Sequence, residues 1–142
     1  MAKNGFSMSN RVATESVSDS TTLTVNDCGK VFVMASASAA YTITLPTPEA
    51  AEAGWNCKIV KGADSDKAHI VTSQAADMSV VGYGSDTDGV NYSGSAGTQQ
   101  KKITLSASNA KQGDTITLVT DGSSWYAEVK FALQTGYATS AS

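Results

Sequence analysis

His69 is the only histidine of this 142-residue chain, and Cys28 and Cys57 are its only thiols. A thiol activated by an imidazole would be a nucleophile for acyl transfer, but a third group must orient the base. Nothing in the sequence supplies that orientation for a Cys28–His69 pair. No Ser or Cys stands in a nucleophile elbow either. His69 falls inside the apolar run Ala68-His69-Ile70-Val71-Thr72, where packing explains it better than reactivity. In a chain made in a reducing cytosol, two cysteines are expected to be free, buried thiols. The reading is therefore of a protein without catalytic residues.

The carboxylates lead the same way. Asp64-Ser65-Asp66 and Asp86-Thr87-Asp88-Gly89 bring together oxygens of the kind calcium prefers. The second cluster lacks the later Glu of an EF-hand, and Asp-Gly is equally a turn signal, so solvated turns are expected. Glu49 and Glu52 could be an acid–base pair only across a substrate cleft. Two acids early in a short helix are explained by its dipole. No Cys/His spacing suits zinc and no glycine loop suits phosphate, so neither metal nor cofactor is expected.

Ten Lys and Arg against thirteen Asp and Glu leave a net charge of −3, with the basic residues scattered. Without a basic stripe, no direct nucleic-acid partner is expected. No segment nears the roughly 20 apolar residues of a membrane helix, and Met1 to Met8 lacks a signal-peptide core, so no membrane role is expected.

The elements that would position these residues are strands. Thr22 to Val25 alternates, with Leu23 and Val25 on one face. Asn26-Asp27-Cys28-Gly29 turns the chain into Lys30 to Ala35, a run apolar on both faces. Tyr41, Ile43 and Leu45 alternate with Thr42 and Thr44. Thr47 as N-cap, Pro48 at the first position and Gly54 at the end frame one short helix. Trp55, Cys57 and Ile59 point inward on the next strand. Gly82 to Gln100 reads as a long loop, and Lys102 to Ser106 resumes alternation. A hairpin turns at Asp121-Gly122-Ser123 between Asp114–Thr120 and Ser124–Phe131, with Trp125, Ala127, Val129 and Phe131 on one face.

Short strands between polar turns predict an all-β fold, an antiparallel β-sandwich or jelly-roll-like domain with one short helix and extended terminal arms. Residues 1–20 are expected as an N-terminal arm, 21–133 as the sandwich and 134–142 as a C-terminal tail. Phe6, Met8, Val12 and Val17 on the arm, with Tyr83 and Tyr92 in the long loop, are the candidate interface residues.

Leu23-Thr24-Val25 with Asp27, Gly29 and Lys30, then Tyr41 to Pro46 and Ala53-Gly54-Trp55, resembles a β module of bacteriophage virion proteins. Gly113 to Leu118 followed by Asp121 to Tyr126 fits the same pattern. The module occurs in head decoration (cement) proteins and in tail-fibre segments. The resemblance implies a structural, non-enzymatic virion component, a homotrimer made in the host cytoplasm. One compact module with short arms favours a decoration protein on the capsid surface, with the major capsid protein as partner. The alternative is a fibre or spike module that recognises a host surface glycan through Tyr83 and Tyr92.

Overall fold

The computed structural model describes residues 11–86, 89–94 and 97–142. The chain forms an all-β sandwich of a seven-stranded and a five-stranded sheet, with a single short α-helix. In its first half the chain crosses to the other sheet after every strand. β1 (Thr14–Val17), β3 (Val31–Met34) and β5 (Asn56–Lys61) enter the large sheet, and β2 (Thr21–Thr22), β4 (Thr42–Thr44) and β6 (His69–Thr72) enter the small one. Strands of one series pair in parallel, Val17 opposite Met34 and Met34 opposite Lys61, with Thr22, Thr44 and Thr72 aligned in the other sheet.

The second half closes the sheets. β7 (Met78–Asp86) and β8 (Gly89–Gly94) form an antiparallel hairpin, and β9 (Lys102–Leu105) joins β6. β10 (Thr115–Thr120) and β11 (Trp125–Leu133) form the expected hairpin, docked between β5 and β7. β12 (Tyr137–Ser140) ends the chain beside β9.

The sandwich and its helix match the sequence reading, whereas the pairing is mixed rather than antiparallel throughout. The arms are also shorter than expected. Residues 14–17 of the expected N-terminal arm, and 137–140 of the tail, are paired strands. Residues 82–86 and 89–94, expected in a loop, belong to the β7–β8 hairpin. Leu23 is buried, but Val25 is exposed because a 3-10 turn, Val25–Asp27, ends the alternation. Asp27 folds that turn by accepting the Thr24 N–H at 2.7 Å, and its other oxygen holds Lys30 at 2.6 Å.

The helix, α1 (Pro48–Ala51), starts as its sequence predicts: Thr47 Oγ1 accepts the Ala50 N–H at 3.3 Å, and Pro48 takes the first position. It carries the chain from β4 to Trp55, which meets Trp125 edge-on with centroids 5.3 Å apart. Such a contact adds about 1 kcal/mol beyond the area buried. The Trp55 indole N–H donates to the carbonyls of Thr24 and Val25, tying the 3-10 turn to the core.

A bulge in β11 between Phe131 and Leu133 leaves Ala132 out of the ladder. Its N–H donates to Asp114 Oδ1 at 2.8 Å, and its carbonyl accepts from the Ser85 hydroxyl. The second Asp114 oxygen accepts the Lys111 N–H at 2.7 Å, so this buried carboxylate serves two backbone donors at once. Beyond the bulge the chain passes so close over β7 that a Cβ on Gly84 would stand 2.6 Å from the Gln134 nitrogen.

Two substitutions test this corner by urea denaturation. Asp114→Ala strands two donors and is expected to cost about 2–4 kcal/mol. Gly84→Ala forces backbone apart and is expected to cost about 1–3 kcal/mol, whereas Gly29→Ala, with open space at its Cβ but a positive φ, bears only the conformational cost.

Candidate functional site

The residues first considered for chemistry are dispersed. His69 is fully buried, its ring 4.0 Å from that of Tyr41. Its Nδ1 accepts the Tyr41 N–H at 3.3 Å, which assigns the proton to Nε2, and Nε2 has no hydrogen-bond partner. The Tyr41 hydroxyl donates toward the carbonyls of Val17 and Ala35, and burial pushes its pKa to about 12. Burial lowers the His69 pKa, and the charge of buried Lys61 lowers it further.

Both cysteines are free. Cys28 is exposed beside Asn56, with 3.9 Å between Sγ and Nδ2. Cys57 faces the core, where burial first, then Cys28 and Asp27, push its thiol up to about 12. A thiol held in that state is not a nucleophile at neutral pH. No hydrogen bond joins either cysteine to His69 among the described residues.

The carboxylates are separated too. Asp64 accepts the Gln112 N–H at 2.7 Å, and Asp66 pairs with Lys67 at 2.9 Å. Glu49 and Glu52 are both exposed. Asp88 lies outside the described residues. Among those described, no three metal-ligating side chains come together. A polar cleft of about 320 Å³ opens between the β1–β2 turn and the β3–β4 loop, floored by Tyr41, with Asp19 its one charged side chain.

Of the interface candidates, Phe6 and Met8 lie outside the described residues, as does the Tyr92 side chain. Val12 is 58% exposed. Val17 is instead a core residue, 3% exposed at the end of β1, because its strand joins the sheet. Tyr83 is half-buried on β7 rather than at a loop tip.

What the structure does assemble is a pair of flat faces. The outer face of the large sheet is apolar for a surface facing water: Val81 is 66% exposed, Val119 42% and Tyr126 46%. Val119 lies directly opposite Tyr126, and Val81 stands one strand away beside Glu128. A shallow depression of about 300 Å³ lies over these residues. A contiguous patch of this kind commonly marks an interaction site. The outer face of the small sheet is covered by hydroxyls. Thr22, Thr44, Thr72, Lys102 and Ser140 form one row across it, and Thr42, Ile70, Thr104 and Ala138 the next.

Sequence reasoning assembled neither face, although outward-facing Thr42 and Thr44 and the Val119 and Tyr126 of the β10–β11 hairpin were in view. The signal was the failure of alternation: Leu118-Val119 and Trp125-Tyr126 set an apolar residue on each side of the sheet. No family model matches the chain, and no curated protein or solved structure is significantly similar to it. The likeness to phage virion modules therefore rests on the residues named above. No helix among the described residues is long and apolar enough to cross a membrane.

The buried imidazole has a consequence for stability. Its folded pKa is depressed, so the unfolded chain binds the extra proton first. The contribution of neutral His69 is complete above the ordinary value near 6.5 and is lost as the pH falls from there toward the lowered value. The expected slope is at most about 1.4 kcal/mol per pH unit. Urea denaturation at pH 7.5 and pH 5 should show that loss, and His69→Phe should flatten it.

Proposed function

We propose that the chain is a structural virion protein, a capsid decoration protein that binds the outer shell and bridges major capsid protein subunits. In this reading it acts as a homotrimer at three-fold positions of the shell, having been made in the host cytoplasm. The observation that carries the proposal is the pair of sheet faces, one rich in hydroxyls and one with exposed Val81, Val119 and Tyr126, on one sandwich. A cement protein has to meet both the shell and its neighbours, and a two-faced plate provides both surfaces.

The threonine rows are the side assigned to the shell. Hydroxyls on a rigid sheet exchange hydrogen bonds with a polar partner without requiring buried charge, and each such contact is weak. Multivalent attachment makes weak contacts sufficient, since linked copies rebind at high effective concentration. The engagement of the major capsid protein thus requires shape and hydroxyl matching rather than salt bridges. A glycan-binding fibre module ranks second, because it drew on a tyrosine-bearing loop and Tyr83 lies on a strand.

Particles stripped of the protein are expected to lose resistance to heat and low salt and to regain it when the protein is added back. Unchanged stability would remove the cement role. Thr44→Lys with Thr72→Lys sets two charges at the centre of the hydroxyl row. That variant is expected to fold normally and to bind stripped shells at least tenfold more weakly, read by co-sedimentation.

A further inference from the structure

The apolar face of the large sheet has an internal symmetry that identifies its occupant. β10 lies in the middle of five strands, with β5 and β3 on one side and β11 and β7 on the other. The outward row through Thr117 reads Val31, Lys58, Thr117, Glu128, Val81 across these strands. Reversed, the same row places valine against valine at its ends and opposite charges just inside them.

The other rows follow the rule. Through Thr115 the row reads Val33, Val60, Thr115, Lys130, Tyr83, so reversal sets Val33 against Tyr83 and Val60 against the aliphatic stem of Lys130. Through Val119 it sets Val119 against itself and Asn56 against Tyr126. The Tyr126 hydroxyl is anchored by Asp121 at 2.9 Å, which holds the ring in place on the face.

We infer that this face binds a second copy of the chain, face to face, about a two-fold axis running along β10. Such an axis opposes each strand on one side of β10 to its counterpart on the other. Glu128 pairs with Lys130 of its own chain at 3.0 Å, and Lys58 of each copy then approaches that carboxylate from the other, twice per pair. Isologous contacts of this kind are the commonest in soluble assemblies because one self-complementary patch suffices. Aligned sheets pack about 10 Å apart, within reach of a lysine and a glutamate extending from opposite faces. Five strands at about 4.8 Å and three outward rows about 6.8 Å apart give roughly 490 Å² in projection, small for a specific interface. The pairing is accordingly weak and reversible.

The inference stands on the register of the sheet and does not depend on the capsid reading.

Charge exchange tests it. Lys58 and Glu128 are exposed, so neither substitution disturbs the core. Lys58→Glu faces Glu128 with a like charge, and Glu128→Lys does the same to Lys58. Each variant alone is expected to lose self-association at least tenfold. An equimolar mixture of the two restores both opposite pairs and is expected to associate as the parent does. Native mass spectrometry and sedimentation velocity, from about 10 µM to 1 mM, read the species, among which ones with twice the chains of the unpaired form should grow with concentration. A parent with no such doubled species, single variants that pair as the parent does, or a mixture that fails to pair would each overturn the proposal. Shell-binding experiments on the threonine face are a separate readout, so failure of one does not imply failure of the other.

Discussion

The edge contact between Trp55 and Trp125 is where the two halves of the chain become one core. Trp55 leads into β5, the last strand of the parallel β1–β3–β5 series in the large sheet, and Trp125 opens β11, beyond β10. Each is almost fully buried, at 2% and 0% exposure. The indole of Trp55 reaches back to the carbonyls of Thr24 and Val25, so the same side chain fixes the turn between β2 and β3. Without that contact the first half would be a winding with open edges and the second a set of hairpins, neither with enough apolar surface to stand alone.

The alternating positions were legible because each strand buries one face and exposes the other. Tyr41, Ile43 and Leu45 point inward as read, and Trp125, Ala127, Val129 and Phe131 do so along β11. The start of the helix was legible from the chemistry of Thr47 and Pro48 alone. Strand partners were not. Consecutive strands of the first half lie in different sheets, so sequence adjacency suggested antiparallel neighbours that the crossovers forbid. The residue offsets between successive parallel rungs are unequal, so no repeat betrays the winding. Likewise, Glu15 and Ser16 look like an arm until Phe32 and Val33 are seen to pair with them.

Polar residues at the corners of the sandwich, the lone histidine among them, serve the fold. Asp114 holds the bulge of β11, and Asp27 closes a turn and anchors Lys30. His69 gives its acceptor nitrogen to the backbone of Tyr41. In each case a side chain takes up a backbone group that a sheet ladder leaves over. That requirement is strict in a sandwich with many crossovers, because every crossover ends a ladder. A fold of this topology needs short polar side chains at its corners, and their presence there carries no implication of catalysis.

The two faces follow from the same topology. The small sheet draws its strands from segments rich in threonine, a residue that suits a half-exposed pleated surface. The large sheet takes its central strands from β10 and β11, whose outward valine and tyrosine are not required by the core. An apolar residue kept on a water-facing sheet invites non-specific association unless something restricts what it meets. Lys58, Glu128 and Lys130 impose that restriction. They sit among the apolar positions and, in the reversed row, fit only one alignment of a second copy. A shift by one strand would bring Glu128 over Thr117 and leave Lys58 against a valine. Charges within an apolar face thus select a register as much as they supply attraction.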